Sequence, residues 1–180
     1  MKLKEIKTRT IHYFEDELGR RQGELILRYE EKPSQIKSIN NYVDGIKVGT
    51  SIDWYMNGKI RTVANYVNEL KEGNHAEWHE SGNKRSRTFY KDGSEHGEYM
   101  DWHANGQLWE HVFLIDSAEN GESIIFDIYG NVTDHDIFVN GTIIDVPIPT
   151  CEEEQFLLCL EYGHMEFFPI GMYELTASKH

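Results

Sequence analysis

Glycines stand at positions 49, 73, 97 and 121, and a second glycine series at 58, 82, 106 and 130 keeps the same step of 24 residues. The aromatics Trp54, Trp78, Trp102 and Phe126 fall in phase with them. So do Tyr42, Tyr66, Tyr90, Leu114 and Phe138. A short polar residue recurs at Asp44, Asn68, Asp92, Asp116 and Asn140, followed by glycine at 45, 93 and 141. Several series in one phase restrict the chain to one supersecondary unit stacked on copies of itself. A weaker copy precedes them. LGRRQGELILRY, with Gly19 and Gly23, matches DGIKVGTSIDWY once two residues are inserted before the next unit, and terminal units of such arrays are atypical because they cap the stack.

Each unit reads as a β-hairpin. After Gly49, Ile52 and Trp54 alternate with Asp53 and Tyr55, a period of two; a glycine turn and a second run, Ile60 to Tyr66, follow. The residue before the turn glycine is Asn57, Ser81, Asn105 or Tyr129, and tyrosine resists positive φ. A two-residue type I′ turn is therefore disfavoured against a three-residue loop whose glycine alone is left-handed. That register sets Trp54 across from Ile60, Trp102 from Leu108 and Phe126 from Val132 on one face. On the other face it sets Asp53 across from Arg61 and Glu77 from Arg85. The even register would instead oppose Asp101 to Glu110, a like-charge pair that costs stability.

Equivalent residues in successive hairpins lie two strands apart, roughly 10 Å. The expected fold is mainly β: a single-layer twisted antiparallel β-meander of 24-residue hairpin repeats, with the tryptophan ladder as its core. The array is expected over residues 1–146, with a degenerate first repeat at 13–41 and repeats at 42–65, 66–89, 90–113 and 114–137. After Val146, Pro147 and Pro149 break the pattern. Thr150 to Glu153 has capping-box spacing before the apolar run EEEQFLLCLEYG, which predicts a short helix. With the extended tail MEFFPIGMYEL it makes a short α/β C-terminal cap over 147–180, covering a sheet edge.

Lysine and arginine number 18 against 31 aspartates and glutamates, a net charge of −13, which repels nucleic-acid backbones and anionic membranes and complements a basic protein. The same acidity also serves plain solubility. Cys151 and Cys159 are the only cysteines, which suits a reducing compartment and supplies neither a disulfide framework nor a zinc motif. The opening stretch MKLKEIKTRTIHYFEDE lacks the apolar core of a secretion signal, so the expected location is cytoplasmic.

WYMNGKIRTVANYVN, WHESGNKRSRTFYKDG and WHANGQLWEHVFLID resemble MORN repeats, and the bacterial variant of that repeat more closely. The likeness covers residues 13–146 and carries no catalytic signature. It implies a curved single-layer meander that contacts other proteins. Many bacterial relatives resemble antitoxin or immunity proteins that neutralise a cognate toxin; some eukaryotic relatives are scaffolds or associate with membranes. Two units depart from the pattern, with Glu69 and Ser117 in the place of a turn glycine.

His75 and His79 have metal-chelating spacing only on a helix, whereas four residues of strand span ~13 Å, too far to share one ion. There is no G-x-S-x-G elbow and no G-x-x-x-x-G-K-[ST] loop. A non-enzymatic protein without metal or cofactor is expected. The candidate partner-binding residues form a stripe opposite the tryptophans: Asp53, Glu77 and Asp101 in phase, with Ser51, His75 and Tyr99 on one side and Tyr55, His79 and His103 on the other. Acidic and amphipathic aromatic groups suit a basic partner. They equally suit a solvated face whose carboxylates pair with Arg61 and Arg85. Trp109 breaks phase, since its equivalents are Arg61, Arg85 and Thr133. An out-of-place tryptophan is the kind of residue that anchors an interface, or it covers a hairpin joint. The expected partner is a protein, a cognate toxin, with pairing of two copies through open sheet edges conceivable.

Overall fold

The computed structural model describes residues 2–144, all within one unit, Met1–Asp145. The helix and strand cap expected over 147–180 lies outside the described residues. Fifteen strands form one open antiparallel sheet: β1 Lys4–Lys7, β2 Ile11–Glu15, β3 Arg21–Arg28, β4 Ile36–Val43, β5 Ile46–Trp54, β6 Ile60–Val67, β7 Leu70–Lys71, β8 Gly73–Trp78, β9 Lys84–Lys91, β10 Ser94–Glu95, β11 Gly97–Trp102, β12 Leu108–Ile115, β13 Ala118–Phe126, β14 Val132–Val139 and β15 Thr142–Ile143. Neighbours in sequence are neighbours in space, as in a meander, with the two-residue β7 and β10 paired to β6 and β9.

One edge of the sheet carries the three-residue loops. Tyr55 N donates to Lys59 O at 2.8 Å and Gly58 N to Tyr55 O at 2.9 Å, and the same pair of bonds recurs from His79, His103 and Asp127. Only the glycine is left-handed, with φ of 89, 97, 92 and 89° at Gly58, Gly82, Gly106 and Gly130, so Tyr129 is tolerated before it. The expected loop is the observed one.

The expected register is half right. Trp54 stands across from Ile60, Trp102 from Leu108 and Phe126 from Val132. One residue further on, however, a bulge intervenes. Asp53 faces Thr62 rather than Arg61, Glu77 faces Ser86 rather than Arg85, and Asp101 does stand opposite Glu110. Arg61, Arg85, Trp109 and Thr133 are the extra, unpaired residues. A bulge beside a loop absorbs the local strand twist, and that gain is made in every hairpin. The like-charge pair costs only ~0.2–1 kcal/mol and arises in one.

The opposite edge carries two-residue turns with both residues at positive φ: Asp44–Gly45, Asn68–Glu69, Asp92–Gly93, Asp116–Ser117 and Asn140–Gly141. This is the type I′ geometry, and it explains the recurring short polar residue, because Asn and Asp tolerate the left-handed region best among non-glycines. Between this turn and the next loop, a second left-handed glycine bends the strand. The β4–β5 ladder jumps from Asn41↔Val48 to Ile39↔Ile52 around Gly49, and β12–β13 jumps likewise from Leu114↔Glu119 to Val112↔Ser123 around Gly121.

The first repeat is real in space. Its turn is one residue longer, closed by Asp16 N to Arg20 O at 3.0 Å. The two inserted residues sit in the β3–β4 loop, between the pairs Arg28↔Ile36 and the equivalent Trp54↔Ile60. Outside it, β1 adds an edge strand that sequence periodicity did not reveal. Its lysines, Lys4 and Lys7, blunt an open edge.

The most buried residues are not the tryptophans. Trp54, Trp78, Trp102 and Phe126 are all half-buried. The row through the middle of the opposite face is tighter: Ala64 is 3% exposed, Thr88 2% and Val112 3%, with Ser51, His75 and Ser123 buried beside them. Strand pairing sets these residues in one line across the sheet. Among the described residues no second layer covers this row, and its side chains are buried by their neighbours on adjacent strands.

Glu69 and Ser117 occupy left-handed positions that cost a non-glycine roughly 1–2 kcal/mol. Glu69→Gly and Ser117→Gly are each expected to stabilise the fold by about 1 kcal/mol after the entropy of a freer unfolded chain is discounted. Urea unfolding checks this. Unchanged or lower stability would show that the turns are not type I′.

Candidate protein-binding face

The face opposite the tryptophans has three rows of side chains, and the repeat places each. Beside the buried central row, toward the two-residue turns, cations lie over tyrosines. The Arg21 guanidinium is 5.3 Å from the Tyr42 ring, Lys47 Nζ 3.7 Å from Tyr66 and Lys71 Nζ 4.4 Å from Tyr90. Such pairs are worth ~0.5–1 kcal/mol at exposed sites and more when desolvated. Sequence reading missed this row, although Lys47 and Lys71 keep the 24-residue step. In the following repeats the position becomes Glu95 and Glu119, and the aromatic becomes Leu114 and Phe138.

Toward the three-residue loops runs the row that holds the candidate stripe. Asp53 pairs with the bulged Arg61 at 3.7 Å and Glu77 with the bulged Arg85 at 4.0 Å. Thr62 and Ser86, their cross-strand partners, are uncharged. The next copy differs in both respects. The bulged residue is Trp109, 42% exposed, and the cross-strand partner is Glu110. Asp101 receives the Trp102 backbone N–H at 2.7 Å and the Tyr99 hydroxyl at 3.4 Å. No ion pair to Asp101 or Glu110 is found among the described residues.

Tyr55, His79 and His103 have a different task. The Tyr55 hydroxyl donates to the Trp78 carbonyl at 2.7 Å, 23 residues on. His79 Nε2 bonds the Trp102 carbonyl and His103 Nε2 the Phe126 carbonyl, each at 3.0 Å. Tyr29 does the same to Trp54 at 2.7 Å. Loop amides add a parallel series, Asn57 to Glu80 O, Asn83 to Ala104 O and Asn105 to Ile128 O, at 2.8 to 3.0 Å. Lys59 reaches the Ser81 carbonyl beside them. These residues lock each hairpin loop to the next. His103 also backs Trp109, with ring centroids 6.2 Å apart. Of the candidate residues, Tyr99, Asp101, His103 and Trp109 thus come together in one hairpin; Asp53 and Glu77 are paired internally.

Electrostatics follow this layout. Burial, aided by Glu119 and Asp101, pushes the Glu110 carboxyl above its ordinary range. Burial together with Asp101 and Glu110 pushes Tyr99 up to about 12. Burial lowers His75, further lowered by Lys71 and opposed by Glu77 and Glu95, and burial lowers His111 against Glu98 and Glu122. Among the described residues no group of three His, Cys, Asp or Glu could hold a metal ion.

Residues 95–116 match the MORN repeat variant family. The MORN-variant match starts in β10 and ends in the Asp116–Ser117 turn, so it frames the hairpin of β11 and β12 that carries Tyr99, Asp101, His103 and Trp109. No curated protein matches the chain.

Two expectations follow for the free protein. Tyr55→Phe leaves the Trp78 carbonyl without its donor and should cost about 1 kcal/mol in chemical denaturation; no loss would mean the inter-repeat bond is idle. The folded-state values of His75 and His111 are depressed, so the unfolded chain takes up protons that these imidazoles refuse. Their contribution is present above the unfolded value and falls as pH drops below it. Stability measured at pH 7.5 and 5.5 should therefore decline, and His75→Ser, with the residue found at the equivalent positions 51 and 123, should decline less. Equal declines would contradict the burial argument.

Proposed function

We propose that this chain is a non-enzymatic protein-binding module, an immunity or antitoxin-like protein of the cytoplasm that occludes a cognate basic toxin with its repeat sheet. One observation carries the reading. Along the face opposite the tryptophans, cations balance the first repeats through Arg21, Lys47, Lys71, Arg61 and Arg85, whereas the same positions further on hold Glu95, Glu119, Trp109 and Thr133. The negative field is thereby concentrated on one end of one face, where it steers a basic partner and sets its orientation. An adjacent exposed tryptophan supplies area in the form that interfaces favour. The MORN-variant match supports a repeat-based contact surface; the toxin is our own inference.

A second reading has its own observation. On the tryptophan face Phe89 and Phe113 are 40% and 42% exposed, and Val67 and Ile115 are exposed as well, apolar groups suited to a scaffold that holds a further protein or docks at a membrane. Flotation with anionic liposomes separates the two, since a net charge of −13 opposes that surface.

The test is co-expression of this chain with the product of its neighbouring gene. Capture of that protein and rescue of cells from its toxicity are expected, with affinity falling at least tenfold between about 50 and 300 mM salt, since the steering charges are exposed. Neither capture nor rescue would overturn the reading.

A further inference from the structure

The hairpin of β11 and β12 repeats the backbone of its predecessors and breaks their charge balance. In the repeats before it, a carboxylate, a bulged arginine and a hydroxyl make a neutral set: Asp53, Arg61 and Thr62, then Glu77, Arg85 and Ser86. Here the set is Asp101, Trp109 and Glu110, two carboxylates and an indole. The internal guanidinium is gone, replaced by the Trp109 indole, and a second anion stands in place of the hydroxyl. Glu119 lies close enough to Glu110 to act on its proton affinity. This arrangement works against the fold, because adjacent like charges repel across the strand pair.

The geometry points to a guanidinium subsite: Asp101 and Glu110 take an arginine side chain from a partner protein, which supplies the guanidinium that Arg61 and Arg85 supply within the chain, and Trp109 stacks on it. The earlier repeats are the independent witness, since the same backbone positions hold a guanidinium against a carboxylate at 3.7 and 4.0 Å. Arginine fits better than lysine. Its planar fork serves two carboxylates at once and lies flat on an indole, whereas an ammonium is a hydrated point charge. Tyr99 and His103 hold the receptor: the Tyr99 hydroxyl bonds Asp101, and His103, fixed to the Phe126 carbonyl, backs the Trp109 ring. The subsite rests on reading this face as a protein interface, but its test needs no partner.

The probe is the tripeptide acetyl-Gly-Arg-Gly-amide, titrated into the full chain at low salt, with the lysine and citrulline versions alongside. The readouts are the Trp109 indole and the Asp101 and Glu110 backbone amides by NMR. The arginine peptide should shift these signals saturably and at least threefold more than the other three tryptophan indoles. Lysine should bind at least threefold more weakly, and neutral citrulline should have no effect. Trp109→Arg, which rebuilds the internal pair, should abolish the shifts at Asp101 and Glu110. Asp101→Asn with Glu110→Gln should abolish those at Trp109 while raising the melting temperature, a combination that a merely structural role would not give. Glu122→Gln on the tryptophan face, matched in charge to Trp109→Arg, should leave them unchanged. Shifts spread over all four indoles, equal response to citrulline, or equal loss in Glu122→Gln would overturn the subsite. A null result here beside successful capture of a toxin would place the interface elsewhere; a positive result here without a toxin would leave the subsite and remove the toxin reading.

Discussion

Among the described residues one sheet holds all fifteen strands with no second layer, so the bonds between one repeat and the next carry the burden of keeping them in register. At the loop edge, Tyr29, Tyr55, His79 and His103 each reach the carbonyl of the residue before the next loop. At the turn edge, the second turn residue donates its N–H one repeat back: Glu69 to Lys47, Gly93 to Lys71 and Ser117 to Glu95, at 2.8 to 3.0 Å. Both edges are thus tied in steps of one repeat, and left-handed glycines bend each strand so that the ties close. Each net bond contributes only ~0.5–1.5 kcal/mol, and the array depends on their regular repetition.

That architecture explains why the tryptophans are only half-buried while serine, alanine and threonine are hidden. The tryptophans lie on the more open face, while Ser51, Ala64, Thr88 and Ser123 lie in a tightly neighboured row on the other. It also gives the departures meaning. Where every unit shares one backbone, a side chain that differs is not required by the fold. Trp109 and Glu110 differ together, at neighbouring positions of one hairpin, and Glu110 is held above its usual proton affinity by burial and by the carboxylates beside it. Strain of this kind, concentrated on one exposed patch of an otherwise consistent array, supports the proposal that the patch is a binding surface.

Much of this was legible in the residues. The 24-residue step, the hairpin and the three-residue loop followed from glycine and aromatic phases, and Tyr129 before Gly130 weighed against a two-residue turn there. The bulge at Arg61 was not legible, because its benefit is backbone twist and its cost, Asp101 against Glu110, appears in sequence as an argument against it. The tighter burial of the face opposite the tryptophans was hidden for a similar reason. A period of two tells which residues share a face, but not which face is the more buried. Of the candidate stripe, in-phase position identified Asp53, Glu77 and Asp101 as equivalents without showing that Arg61 and Arg85 neutralise only the first two. Tyr55, His79 and His103 looked like surface because a hydrogen bond to a carbonyl 23 residues away leaves no local trace.

The central claim is that this chain meets its partner through the hairpin in which the repeat abandons its own arginine. A structure of the complex with the captured partner tests it most directly. An arginine of the partner lying on Trp109 between Asp101 and Glu110 is the predicted result. A partner seated on the tryptophan face, with Asp101 and Glu110 left open to solvent, would contradict it.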